Sequence, residues 1–252
     1  MSSSKPEVLA AALAKVWRDG SKLDASDWSL PDEASGQQVN ALLAATMNWL
    51  PAGQPQFWKC GGSSRSGPFG HAPLAPHGVR ESDDLTGLGL IGAEAEIALR
   101  LARDVTPEEA QALKLGEGEA LIDAMCVAIE GLASRWQQGL GADAMLKNAD
   151  CQSHGGLSLG PWMAWRTGHD WARQPCELQI NGEAPMSGIG GHGLDDPAWV
   201  IVPWLQAATR HGAAVKAGSV VTTGSWRVAL KLKAGDVAVA RYAGIDEWTA
   251  RL

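Results

Sequence analysis

With 252 residues, 45% of them hydrophobic and 19% charged, the chain can bury a substantial core and is too apolar for a disordered segment. Its 21 Lys and Arg against 28 Asp and Glu leave a net charge of −7, and without a basic stripe no nucleic-acid partner is expected. The longest apolar runs, such as Ala198 to Leu205, fall far short of the roughly 20 residues of a membrane-spanning helix, so no membrane association is expected.

The opening Met1-Ser2-Ser3-Ser4-Lys5 lacks the apolar core of a secretory leader. Four scattered cysteines, Cys60, Cys126, Cys151 and Cys176, form no CxxC pair and read as free thiols of a reducing compartment, which makes the expected location cytoplasmic. Twelve Trp against one Tyr and two Phe read as core and interface anchors.

Along the chain, Pro6 to Arg18 predicts an amphipathic helix: Val8, Leu9, Ala12, Leu13, Val16 and Trp17 follow the helical period, and Gly20 stops it. A second helix is predicted over Gln37 to Trp49. A stretch crowded with Gly, Ser and Pro then runs from Gly61 to Asp84, long for a structureless connection and of the kind that carries function. From Ala93 the period becomes two: Ala93, Ala95, Ile97, Leu99 and Leu101 alternate with Glu94, Glu96, Ala98 and Arg100, a strand with one apolar face. Thr106-Pro107-Glu108-Glu109 has the cap, proline and acids of a helix start. Met125 to Ala133 reads as a buried strand, and Glu177 to Ile180 as a strand entering a tight turn at Asn181-Gly182. Pro197 to Arg210 predicts a helix. Three strands are predicted at the end, Val220 to Trp226, Val237 to Tyr242 and Glu247 to Leu252. The class expected is α+β, helices first and a mostly β body after. A Rossmann fold is excluded because Gly87-Leu88-Gly89 lacks its third glycine, and no P-loop is present.

The most informative side chains are acidic. Two apart on a strand, Glu94 and Glu96 point to one side with Cα atoms roughly 6.5 Å apart. Like charges so placed repel unless water or a cation separates them, and Mg²⁺ or Mn²⁺ prefers carboxylate oxygen. A solvated strand face, with Arg100 and Arg103 nearby, is the plainer alternative. Glu130, within Cys126-Val127-Ala128-Ile129-Glu130-Gly131-Leu132, is expensive to bury ionised without a partner. An arginine, a proton or a metal would each answer that cost. Lys59, in Phe57-Trp58-Lys59-Cys60-Gly61-Gly62, either reaches the surface along its apolar stem or stabilises charge and moves protons beside a metal-bound oxyanion.

Five segments in order carry a family resemblance. Gly92-Ala93-Glu94-Ala95-Glu96-Ile97-Ala98 resembles the Glu-x-Glu strand of the fumarylacetoacetate hydrolase superfamily, and Ala128-Ile129-Glu130 with Ser134-Arg135 its third ligand strand. Trp58-Lys59-Cys60-Gly61 is similar to the lysine segment of the 2-keto-4-pentenoate hydratase and 4-oxalocrotonate decarboxylase branch. Ala149-Asp150, Ser153, Gly155 and Leu159-Gly160 fit another motif of that branch, and Ala217 to Trp226 resembles its Thr-Gly-Ser segment.

The resemblance implies a single domain over 1–252, with an N-terminal helical cap (1–55) and a β-rich catalytic body (56–252). It implies Mg²⁺ or Mn²⁺ on Glu94, Glu96 and Glu130, chelated by a small 2-keto acid. Lys59 would assist proton movement and Asp150 would support a metal-bound water. Thr223, Gly224 and Ser225 would line the carboxylate pocket, bordered by Phe69 and His71. Arg227 stands where the family usually has Thr, and would bind an extra substrate carboxylate or block the pocket. Cys151 replaces a common Asn. His154 is either a proton carrier or a hydrogen-bonding residue.

The activity implied first is hydration of a 2-hydroxy-2,4-dienoate, as in aromatic degradation. Decarboxylation of a 2-oxo-hexenedioate and acylpyruvate-type C–C hydrolysis are the other enzyme readings, and a catalytically weak paralogue serving as a partner subunit is a reading of another class. A homo-oligomer is expected, with Trp162 and Trp165 at subunit contacts and a decarboxylase as a further partner.

Overall fold

The computed structural model describes residues 3–252. In chain order the elements are α1 (Pro6–Asp19), α2 (Glu33–Met47), β1 (Phe57–Gly61), β2 (Gly70–Pro73), β3 (Val79–Arg80), β4 (Gly92–Leu101) and α3 (Pro107–Ala112). They continue with β5 (Ile122–Leu132), α4 (Ala144–Ala149), β6 (His154–Leu159), β7 (Met163–Ala164), β8 (Pro175–Ile180), β9 (Met186–Ile189) and α5 (Ile201–Ala208). The last four strands are β10 (Val220–Thr222), β11 (Arg227–Leu230), β12 (Val237–Tyr242) and β13 (Asp246–Arg251). The fold is α+β, as expected.

Local chemistry explains most boundaries. Pro6 opens α1, and Gly20, at φ 72°, closes it in the left-handed region that glycine tolerates. Helix α2 starts four residues earlier than its apolar period suggests, because Asp32 caps it by accepting from the Ser35 amide. The Gly- and Pro-rich stretch after β1 contains β2 and β3, with β2 held antiparallel to β1. Residues 197–210 divide into a 3-10 turn over Pro197–Val200 and the shorter α5. Asn181 and Gly182 take positive φ (50° and 74°) between β8 and β9, closed by the Glu183 amide on the Ile180 carbonyl. The strand predicted over Val220 to Trp226 ends at Thr222; residues 223–226 are irregular, and β11 follows at Arg227.

A nine-stranded sheet has the order β2-β1-β10-β4-β5-β6-β3, with β11 also on β4 and β7 on β5. A four-stranded sheet, β13-β12-β8-β9, packs on it. The side chains of Ala93, Ala95, Ile97 and Leu99 on β4, and Met125, Val127 and Ile129 on β5, join Leu178, Ala238, Ala240 and Tyr242 in the core between the sheets. The opposite face of β4 and β5 is lined by the intervening residues. A separate apolar cluster joins α1, α2 and α4 around Leu9, Leu13, Leu43, Leu146 and Trp136. This helical layer meets the large sheet at β2, through α2 and Ala72.

The four cysteines are free and buried. Trp162 and Trp165 are half-buried within the chain: Trp162 lies under the Arg100 guanidinium and bonds Glu81, while Trp165 stacks on Trp171 and bonds Glu119. Both rings thus have partners within the chain and keep part of their surface exposed. Among the described residues no helix is long and apolar enough to cross a membrane.

Candidate active site

Strand pairing assembles the site. In the antiparallel β4–β5 pair Glu94 stands directly opposite Glu130, and Glu96 opposite Ala128. Period two puts Glu96 on the face of Glu94, so the three carboxylates converge, with one oxygen from each within 4.8 Å of the others. The next strands add the lysine: Lys59 on β1 pairs Thr222 on β10, which pairs Ala98 on β4. Lys59 thus rises from the acidic face, buried, with Nζ 2.7 Å from Glu130 Oε1 and 3.4 Å from the Gln152 carbonyl.

Glu130 Oε1 also meets His154 Nδ1 at 3.0 Å, whereas Glu130 Oε2 is buried with no hydrogen-bond partner. Glu96 Oε2 accepts from the Gly224 amide at 3.1 Å. Gly224 has φ 109°, a conformation side chains disfavour, and its backbone crowds Gly61.

The charges do not balance. Burial pushes the Glu94 carboxyl up to about 7, Glu130 adding to the rise against the opposing pull of Lys59. Burial, then Glu130 and Glu94, raise Glu96 well above the usual range. Burial works to raise Glu130 too, but Lys59 and His154 outweigh it and hold it down at about 2. Burial opposes the Lys59 charge, yet the three acids dominate and keep it an ammonium. Burial lowers His154 and favours its neutral form. One lysine against three carboxylates, with an orphan oxygen among them, is the donor set of a hard divalent cation, whose coordination shell is about 4–5 Å across.

The other expected residues divide. Asp150 is fully buried but its oxygens are engaged by Arg135: Nε donates to Oδ1 at 2.5 Å and the amide to Oδ2 at 3.0 Å. The same guanidinium donates to the carbonyls of His154 and Asp150 and lies 4.1 Å over the Trp17 ring. This clamp, with the Cys151 amide donating to Asn40, holds Cys151, Gln152 and Ser153 at φ 48°, 54° and 61°. Three successive left-handed non-glycine residues are costly unless their surroundings impose them. Both carboxylate oxygens of Asp150 are thereby taken by Arg135 in holding this loop. His154 opens β6 rather than lying in a loop.

Thr223, Gly224 and Ser225 form the turn between β10 and β11. Gly224 and Ser225 border the cavity, while the Thr223 hydroxyl turns inward to the Ile97 carbonyl. Arg227 pairs Ala95, and Val228 pairs Glu94. Alternation therefore sends Arg227 to the inter-sheet face, where its guanidinium fills the space a Cβ would need at Gly188 and Gly191 and bonds the Trp226 carbonyl. It does not line the cavity at Lys59, Glu94 and Glu96. Phe69 and His71 border a different cavity, beside Gln111 and Arg210.

Two residues escaped sequence reasoning. Gln152 and Thr222 line the cavity of about 210 Å³ at Lys59, Glu94 and Glu96. Gln152 occupied an unspecified position of its motif. Thr222 carries a signal only through its register with Lys59.

A family model for the fumarylacetoacetate (FAA) hydrolase C-terminal region matches residues 37–252. The chain belongs to the fumarylacetoacetate hydrolase family. Solved structures agree with this FAA-hydrolase fold. The 4-oxalocrotonate decarboxylase from Pseudomonas putida G7, complexed with magnesium and adipate, is 20% identical with a TM-score of 0.80, covering 98% of this chain and 96% of that one. Its complex with calcium and acetate gives 19% and 0.77 over the same shares. Fumarylpyruvate hydrolase from Pseudomonas aeruginosa, in complex with Mn²⁺ and pyruvate, is 13% identical with a TM-score of 0.52, covering 80% of this chain and 92% of that one. No curated protein sequence matches the chain.

Proposed function

We propose that this chain is a divalent-metal-dependent lyase of small 2-keto acids, with hydration of a 2-hydroxy-2,4-dienoate as its reaction. The carrying observation is the division of Glu130: Oε1 is held by Lys59 and His154, and buried Oε2 is left without a partner beside Glu94 and Glu96. Glu94, Glu96 and Glu130 would hold Mg²⁺ or Mn²⁺. When bound, the ion supplies Lewis acidity to a chelated keto acid.

The chain's own groups do the rest. Hydration converts the enol to a ketone, places the water hydroxyl on C4 and leaves one added hydrogen on C5 and one on C3. The two hydrogens come from the enol hydroxyl and from water. Lys59 Nζ, kept protonated by its acidic neighbours, is the atom that donates to substrate. Glu130 Oε1 links it to His154 Nδ1, which holds the pair in place, and the proton that Lys59 gives up is returned from the enol hydroxyl and the added water. Gly224 orients Glu96, and the Arg135–Asp150 clamp keeps the Gln152 carbonyl on Lys59. A homo-oligomeric assembly belongs to the same proposal.

Decarboxylation of a 2-oxo-hexenedioate is the second reading, favoured by the end-to-end similarity to the decarboxylase complexed with adipate. Against it, the arginine expected to meet a second carboxylate points to the other face of the sheet. The test mixes purified protein and Mg²⁺ with 2-hydroxypenta-2,4-dienoate and follows loss of the diene absorbance. Turnover that Glu94→Gln abolishes is expected. CO₂ release from 2-oxohex-3-enedioate, without dienoate turnover, would favour decarboxylation. Failure on both and on acylpyruvates, with metal bound, would leave the partner-subunit reading.

A further inference from the structure

The cavity at the carboxylates continues into a larger one. The second lobe has a volume of about 680 Å³, and Lys59, Glu94 and Gln152 border both. A molecule gripped by one end at the acids therefore projects its other end into a space roughly three times that of the gripping site. A five-carbon keto acid would leave most of this lobe unused.

The lobe's walls are mixed, with apolar side chains supplying part of the lining. Leu132, Leu140, Met145, Val228 and Leu230 line it, and beyond the shared residues its charges are one acid, Glu33, and one base, Lys147. The Lys147 ammonium donates to the Leu140 carbonyl at 3.2 Å. The two signs cancel and Asn148 and Ser153 are uncharged, so beyond the shared residues the walls carry no net charge to attract a distal carboxylate. Register explains how apolar groups came to face this way. Val228 pairs Glu94 and Leu230 pairs Gly92, so both stand on the acidic face of the sheet, where solvent contact would favour polar residues. They are 42% and 54% exposed, and covering such side chains is favourable in proportion to the area removed from water.

We infer that the substrate is a 2-keto acid bearing an apolar substituent, aliphatic or aryl, at the end away from its carboxylate, and that the lobe over Val228 and Leu230 selects it. The inference rests on the keto-acid reading above, so its test uses binding of unreactive acids as well as turnover. Saturated 2-oxo acids are titrated calorimetrically into the Mg²⁺-loaded protein: 2-oxopentanoate, 2-oxoadipate with its distal carboxylate, and 2-oxo-6-phenylhexanoate with an apolar tail.

The phenyl acid is expected to bind at least about tenfold more tightly than 2-oxoadipate, in line with what one apolar group contributes in a pocket. Leu230→Lys, on a strand edge where lysine is well tolerated, should reverse that order, and Leu140→Lys should do so independently. With dienoate substrates the kcat/KM ratio of phenyl-substituted to unsubstituted should fall in both variants. Equal binding of the three acids, or tighter binding of 2-oxoadipate by the unaltered protein, overturns the inference while leaving the keto-acid reading intact. If none binds and no dienoate turns over, the keto-acid reading fails and takes this inference with it.

Discussion

Two buried charged clusters lie close together in this molecule, and they differ in their accounts. At the Arg135–Asp150 clamp one base meets one acid, both carboxylate oxygens are bonded, and the guanidinium has carbonyls and the Trp17 face for its remaining groups. At Lys59 one base meets three acids, and Glu130 Oε2 has nothing to bond. The balanced cluster is complete as folded and serves as scaffold. The unbalanced one retains capacity for a further cation. Burial of charge alone does not mark a site; an unmet charge does.

The largest expected effect tests this contrast. Glu130→Gln removes the acid bonded to Lys59 but leaves Glu94 and Glu96 near it, whereas Asp150→Asn strands Arg135; in urea unfolding the second should cost about 3–5 kcal/mol, as breaking a buried pair does, and the first less. Titration calorimetry should then separate them: Glu130→Gln takes up no Mg²⁺, while Asp150→Asn still binds one ion. Loss of uptake in a folded Asp150→Asn protein would erase the distinction. Next in size is a change of opposite sign. Glu96→Gln removes a carboxyl that burial and its acidic neighbours force to take up a proton on folding, so the metal-free protein should gain about 1 kcal/mol at neutral pH. Its Mg²⁺ affinity should nonetheless fall at least about tenfold.

A smaller effect comes from histidines outside both clusters. His192 accepts from the Leu194 amide at Nδ1 and donates from Nε2 to the Thr223 carbonyl, so the folded state needs it neutral. Burial pushes His192 and His71 each down to about 4. The unfolded chain binds the proton first. The stability these groups contribute is full above the unfolded value of 6.5 and is lost as pH falls from there toward 4. Urea midpoints should drop across that window, and His192→Gln should flatten the drop. The smallest effect is expected at Arg227: because its side chain lies on the inter-sheet face, Arg227→Met should leave KM within about twofold. A larger rise in KM would return this arginine to the substrate.

Much of this was legible in the residues. Alternation over Ala93 to Leu101 is enough to put Glu94 and Glu96 on one face, since strand side chains repeat every two residues. A glutamate inside an apolar strand announces that Glu130 has a partner, though not which. Arg227 could not be placed, because four irregular residues separate β10 from β11 and a shift of one position there reverses every side chain. The partner of Asp150 was hidden similarly: Arg135 lies fifteen residues away, joined by a loop whose course no local pattern encodes.

By itself, then, the sequence determined the strand periods, the helix stops, the family and the identity of the acids, all of which depend on neighbours a few residues apart. Only the tertiary structure decided that Glu130 faces Glu94, that Lys59 reaches across two strands to join them, and that Arg227 does not. Those outcomes hang on register between strands distant in the chain, where the energy lies in contacts that local spacing does not specify.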